Sequence, residues 1–204
     1  MNENNILGVV LSGGKSKRFG EDKSEVFLGN RTLLEHTLIK INPKFNEVII
    51  VSNKVYKNNY INIKDCIDGN LGPLVAVLSA MKWIKDNNKP YDWIATFPCD
   101  TPFFNNSIID NFILASKKKD SLLYFAQSKE KRHNIFGLWS IELIKILEND
   151  IVEKKYRKVE EWANKIGVKL INVSNISDDN SFLNINTKED FKKAEKIINK
   201  IKND

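Results

Sequence analysis

Short apolar runs alternate with segments whose apolar residues recur every three or four positions, from Ile6 to Ile201 of a 204-residue chain. Ile6–Leu11 and Val48–Val51 are apolar on both sides of the pleat, so each predicts a strand covered on both faces. Residues 93–97 predict a third. Between them, residues 32–41 have helical spacing, and Leu74, Val77, Leu78, Met81 and Ile84 form a single stripe. Ser107 and Asp110 have capping-box spacing, opening a helix that carries Ile108, Ile109, Phe112 and Ile113. Residues 122–126, 135–139 and 168–173 predict further strands. Helices are expected over 141–147, around Val159, Trp162, Ala163 and Ile166, and after Thr187, with Asp190 at the third position and Phe191, Ala194, Ile197, Ile198 and Ile201 facing inward. Strands alternating with helices predict an α/β fold: a Rossmann-like, doubly wound, mostly parallel sheet with helices on both faces. No repeat or Pro/Gly/Ser linker divides the chain, so residues 1–204 are expected to form a single domain.

Composition excludes several classes of function. Forty-two per cent apolar and 28% charged residues is too apolar for disorder, and no uncharged run is long enough to cross a membrane. The start lacks a basic segment followed by an apolar one, and two cysteines, Cys66 and Cys99, have neither disulfide-framework nor metal spacing. A reducing cytoplasm is the expected compartment. The net charge of +6 suits an anionic ligand, but the lysines are scattered among Asn and Glu as on a solvated surface. No aromatic residues interleave Lys117–Lys119, the one tight basic triplet, so nucleic acid is not an expected partner. His36 lies within a helical pattern, where packing is its expected role, and Trp83, Trp93, Trp139 and Trp162 have core-like spacing.

Ligands in parallel α/β sheets bind beyond the carboxyl ends of strands, where the topology switches. The first strand runs there into Leu11-Ser-Gly-Gly-Lys-Ser-Lys-Arg-Phe-Gly-Glu-Asp-Lys23. Gly13 and Gly14 free backbone amides from side-chain obstruction, and Lys15, Lys17, Arg18 and Lys23 add positive charge. Amides with cations suit a polyphosphate, although a plain glycine turn with surface lysines has the same composition. Walker A and Gly-x-Gly-x-x-Gly spacings are both absent. Asp100 follows the third strand, flanked by Pro98 and Pro102, which restrict the loop. One carboxylate facing a triphosphate is a common Mg²⁺ arrangement; an aspartate capping a turn is the alternative.

The whole first loop resembles the signature of the molybdenum cofactor guanylyltransferases, within the nucleotidyltransferase superfamily. Gly72-Pro73-Leu74, Pro98-Cys99-Asp100-Thr101-Pro102, Arg132-His133 and Asn184-Ile185-Asn186-Thr187 resemble further segments of that family, in its order, over residues 6–192. Val75-Ala76 stands where the family has Ala-Gly, Asn134 and Lys188 where prolines are frequent, and Phe19 where Met is frequent. The resemblance implies transfer of GMP from GTP to the terminal phosphate of molybdopterin, with Mg²⁺ as cofactor and pyrophosphate released. It implies nucleotide contacts by Leu11, Ser12, Gly13, Gly14, Lys23, Asn53, Asp65 and Asp100, catalytic roles for Lys23, Asp100 and Arg18, and Asp100 as the metal ligand. His133, Arg157, Asn184 and Asn186 are implied on the acceptor side. Taken alone, Asp65 also suits a solvated loop, Asn53 a turn cap and Arg157 a solvated helix face. Other cofactor-biosynthesis proteins or apo-molybdoenzymes are implied as protein partners. The nearest alternative is a CTP-dependent or other-acceptor transferase of the same fold, against which the Gly13-Gly14 pair weighs by family analogy. A non-catalytic nucleotide-binding adaptor is a third possibility; it would have no need of a metal carboxylate such as Asp100.

Overall fold

The computed structural model describes residues 5–13, 23–173 and 180–203, with side chains as far as residue 200. In chain order the strands are β1 (Ile6–Leu11), β2 (Phe27–Leu28), β3 (Arg31–Thr32), β4 (Val48–Val51), β5 (Ile61–Ile63), β6 (Trp93–Pro98), β7 (Leu123–Ser128), β8 (Lys131–Ser140) and β9 (Lys169–Asn172). The helices are α1 (Leu33–Ile41), α2 (Pro73–Asp86), α3 (Ser107–Lys118), α4 (Ile144–Val152), α5 (Val159–Ile166) and α6 (Lys188–Asn203).

β1 is buried along its entire length and takes an interior place in a seven-stranded sheet ordered β5-β4-β1-β6-β8-β7-β9. It runs parallel to β4 on one side and to β6 on the other. β8 alone is antiparallel to both its neighbours, so the sheet is mixed but mostly parallel. Leu34, Leu38 and Ile41 of α1, with Ile108, Ile109 and Phe112 of α3, cover one face. Leu74, Leu78 and Met81 of α2, with Leu147 of α4 and Trp162 of α5, cover the other. Both apolar faces of the parallel strands are thereby removed from water, the main source of stability for such a sheet. Successive strands are laid down on opposite sides of β1, which sets the topological switch between β1 and β6.

The helix ends follow local chemistry, with one exception. Thr32 and Glu35 form a reciprocal capping box at α1, the Glu35 amide donating to Thr32 Oγ1 (3.2 Å) and the Thr32 amide to Glu35 Oε2 (2.7 Å). Thr187 and Asp190 make the same exchange at α6. The capping box expected of Ser107 and Asp110 does not form. Asn105 Oδ1 accepts from the Ser107 amide (3.0 Å) and hydroxyl (2.5 Å), and Asp110 pairs with Lys44 (2.6 Å). Asn105 reaches the orphan amides first because its side chain lies two residues before the helix start. His36 donates from Nε2 to the Leu28 carbonyl (2.8 Å), the packing role expected of it.

Three features of the sheet have no counterpart in the hydrophobic pattern. β2–β3 is a two-residue-per-strand hairpin, and β5 is a half-exposed edge strand of only three residues. β7 and β8 form a longer hairpin than residues 122–126 and 135–139 suggested, and its register jumps. Phe125 lies opposite Gly137, but Ala126 lies opposite His133. Residues 134–136 are therefore looped out of the ladder, a bulge that bends β8. Gly137 closes the bulge: a β-carbon there would come 2.6 Å from Trp139 Nε1 and 2.8 Å from the Phe125 ring. No helix of the described residues is long and apolar enough to cross a membrane, and both cysteines are free.

Candidate active site

The carboxyl ends of β1, β4 and β6 open into a cavity of about 650 Å³. Leu11 and Gly13 leave β1, with the Ser12 amide held by the Val51 carbonyl (3.0 Å) and the Leu11 carbonyl accepting from Cys99 (3.3 Å). Among the described residues, a β-carbon on Gly13 would meet nothing within 4 Å. Of the residues singled out by sequence, Leu11, Gly13, Asn53, Asp65, Asp100, His133 and Asn184 line this one cavity.

Asp100 and Lys23 meet at the switch point. Lys23 Nζ stands 3.6 Å from Asp100 Oδ2 and also donates to Asn186 Oδ1. The Ile185 amide donates to the Asp100 carbonyl (2.9 Å), so the 184–186 segment is laid against the residue that Lys23 faces. Burial pushes the Asp100 carboxyl above its ordinary value, opposed chiefly by Lys23 and then by Thr101. The Lys23 ammonium at 3.6 Å is, among the described residues, the positive charge that opposes the cost of this burial. Among the described residues no group of three or more His, Cys, Asp or Glu could cage a metal. Asp100 is a partly buried carboxylate of the kind that can hold Mg²⁺ where water and ligand oxygens complete the shell.

One end of the cavity is built from amides and a carboxylate. Asn53 Nδ2 donates to Asp65 Oδ2 (3.0 Å) and Asn70 Oδ1 (3.2 Å), while its Oδ1 accepts from the Asp65 amide (3.2 Å). The backbone donor fixes which way round the Asn53 amide sits. Burial raises the Asp65 pKa, with the Asn53 bond opposing it. Gly69 (φ 112°), Asn70 (φ 52°) and Gly72 (φ 96°) carry the chain around this end and into α2, with Pro73 at the first helical position.

The opposite end is aromatic and comes from β8 at its bulge and from Phe182. His133 stacks on Phe182, ring centroids 3.5 Å apart and planes 9° from parallel, and Phe136 packs edge-on against Phe182 at 5.3 Å. His133 Nε2 bonds the Ser128 hydroxyl at 2.7 Å. Burial, helped by Lys131, lowers its pKa to about 4 and keeps the ring neutral. Asn134 Oδ1 is buried without a hydrogen-bond partner among the described residues. Lys131, Asn134, Phe136 and Phe182 all line the cavity.

The remaining candidates lie elsewhere. Ser12 turns its hydroxyl to Tyr56 OH (2.8 Å). Arg157 Nη1 donates to the carbonyls of Ile151 (2.8 Å) and Tyr156 (2.7 Å) near the end of α4, outside the cavity lining, while its own carbonyl lies 3.5 Å from a β-carbon built on Gly72. Gly14 and Arg18 lie outside the described residues. Sequence reasoning missed Tyr56, Asn70, Lys131 and Phe182. The Gly69-Asn70 pair is a turn signal that could have marked Asn70; nothing local marks the other three.

A doubly wound sheet with a basic loop after its first strand and a carboxylate at its switch point defines the nucleotidyltransferase class. Residues 8–166 match the family model for the MobA-like NTP transferase domain, and the chain belongs to that family. It is 30% identical over 194 residues to a molybdenum cofactor guanylyltransferase of Haemophilus influenzae (strain 86-028NP), covering 93% of this chain and 97% of the relative. It is 28% identical over 202 residues to the enzyme of the same name from Rhizobium johnstonii, covering 97% and 95%. The solved structure of molybdopterin-guanine dinucleotide biosynthesis protein A from Archaeoglobus fulgidus superposes with a TM-score of 0.80 at 22% identity, covering 95% of this chain and 99% of that one.

Proposed function

We infer that this chain transfers a guanylyl group from GTP to the terminal phosphate of molybdopterin, releasing pyrophosphate. The observation that carries the reading is the Lys23–Asp100 pair, Asp100 lining a cavity with two chemically different ends. The Asn53–Asp65–Asn70 end suits the nucleoside, because a carboxylate accepts from the ring and amino N–H groups of guanine. The aromatic end suits a planar acceptor ring, with Lys131 available to its phosphate and the unpartnered Asn134 oxygen available to a ring N–H. Asn184 and Asn186 would orient the acceptor phosphate between the two ends. The product would pass to another cofactor-biosynthesis protein or an apo-molybdoenzyme.

The reaction forms a bond from an acceptor phosphate oxygen to the α-phosphorus of GTP and breaks the bond from that phosphorus to the β-phosphate bridging oxygen. The electron pair leaves with pyrophosphate. Lys23 would hold the leaving phosphates as their charge grows, and Leu11, Ser12 and Gly13 would align the nucleotide through their backbone groups. Asp100 would hold Mg²⁺, which when bound supplies neutralisation of phosphate charge. Neutral His133 would present a flat, uncharged surface to the acceptor. Arg18 and Gly14 retain their implied roles in the phosphate loop, and Arg157 would act on the acceptor side only through the turn it occupies.

Thermal shift tests the nucleotide. With Mg²⁺ present, GTP should raise the melting temperature more than CTP or ATP at equal concentration, since a ligand stabilises the state it binds. A larger shift with CTP would transfer the assignment to a cytidylyl reaction.

A further inference from the structure

Tyr56 is a core residue, 7% exposed, in the loop that follows β4. A phenol buried this deeply needs partners for its hydroxyl, and the Tyr56 partners come from three separate segments. Ser12 Oγ, at the end of β1, lies 2.8 Å from it, and Ser24 Oγ, in the 3₁₀ turn Lys23–Glu25, lies 2.7 Å away. Ser52 Oγ, at the end of β4, donates from 3.4 Å. The Tyr56 hydroxyl also donates to the Ser12 carbonyl at 3.4 Å, so two short and two long contacts meet a phenol's one proton and two acceptor sites. Ser12 is itself fixed, its amide bonded to the Val51 carbonyl, so the sheet anchors the network.

Ser24 is the residue next to Lys23, and Lys23 faces Asp100 across 3.6 Å. The short Ser24–Tyr56 bond therefore ties the turn that presents the Lys23 ammonium to the rigid ends of β1 and β4. We propose that Tyr56 is a positioning residue for nucleotidyl transfer, its hydroxyl holding the Lys23 turn in register with Asp100 through Ser24. The proposal rests on the assignment of Lys23 to the triphosphate. Displacement of a charged group by about an ångström can cost a large factor in rate without loss of the fold.

Tyr56→Phe keeps the ring in the core and removes only the hydroxyl, and Ser24→Ala removes the other partner of the same bond. Steady-state pyrophosphate release with GTP varied, alongside thermal melting, is measured for Tyr56→Phe, Ser24→Ala, the double variant and Lys23→Ala. Each single variant should lower kcat about tenfold, with KM for GTP changed less than about threefold and melting within about 5 °C of the parent. The double variant should lose no more than Tyr56→Phe alone, because that variant already breaks the Ser24–Tyr56 link that Ser24→Ala removes. Additive losses, an effect on KM alone, or unchanged kcat in both single variants while Lys23→Ala is impaired would overturn the proposal by itself. Near-normal turnover in Lys23→Ala would overturn the underlying reading as well. Should Tyr56→Phe not fold, Ser24→Ala carries the test against the same outcomes.

Discussion

Burial raises the pKa of the Asp100 carboxyl and, among the described residues, Lys23 is the ammonium that opposes the rise. On the proposed reading this carboxylate holds Mg²⁺ against the triphosphate. Asp100→Ala should therefore lower turnover at least about 10²-fold while leaving the melting temperature almost unchanged, since metal positioning is worth several kcal/mol to the transition state. Pyrophosphate release and a melting curve on one preparation check both halves. His133 supplies a second residue-scale expectation, with the opposite relation to charge. Its folded pKa of about 4 lies below the ordinary 6.5, because burial and Lys131 disfavour the proton. As pH falls from 6.5 towards 4, the unfolded chain takes up a proton that the folded chain refuses, so folding stability drops across that window. Urea titrations at pH 7.5 and pH 5 should show the parent losing ground to His133→Gln on acidification; equal losses would contradict it. The placement of Leu11, Gly13 and Asp100 on one cavity, with Lys23 beside Asp100, was legible in the sequence because strand ends, a loop glycine and a strand-end carboxylate are local features. The Tyr56 network was not, because Ser12, Ser24 and Ser52 converge only once three segments have folded together.

At the scale of elements, the β8 bulge shapes the cavity. By taking residues 134–136 out of the ladder it delivers Asn134, Ile135 and Phe136 to the cavity while Leu138 and Trp139 stay in the core. The hydrophobic pattern registered the far half of β8 but not its start at Lys131, since Lys131 to Asn134 read as polar loop and the bulge breaks the alternation. Gly137 is the pivot. Gly137→Ala would drive a methyl into Trp139 and Phe125, and Trp139 Nε1 is already committed to Thr96 Oγ1 at 2.9 Å. The substitution should destabilise the protein by about 2 kcal/mol through overpacking, read as a lowered urea midpoint. A stability within about 0.5 kcal/mol of the parent would mean that the bulge relaxes freely. The Ser107 cap shows the reverse case: the local pattern was present, but Asn105 answered the orphan amides instead.

Across the whole molecule, one sheet edge gathers the ends of β1, β4 and β6, the β8 bulge and the 184–186 segment. Leu28, Leu33, Ile185 and Ala194 form a small separate core that docks α6 against the β2–β3 hairpin and α1. That core sets Asn186 beside Lys23 although 163 positions separate them. Alternation of strands and helices was enough to foresee the sheet and its switch point. The antiparallel course of β8 and the docking of α6 depend on long-range packing, for which short apolar segments carry no distinctive period. The proposed function assigns guanine to the Asn53–Asp65–Asn70 end of the cavity and the acceptor to its aromatic end. Pyrophosphate release with Mg²⁺ and molybdopterin, run separately with GTP, CTP, ATP and UTP, tests it most directly. Release should require molybdopterin, yield its guanine dinucleotide by mass, and show kcat/KM for GTP at least about tenfold above the other three, as a difference of about 1.4 kcal/mol in transition-state binding requires. Faster turnover with CTP, or GTP consumption indifferent to molybdopterin, would contradict it.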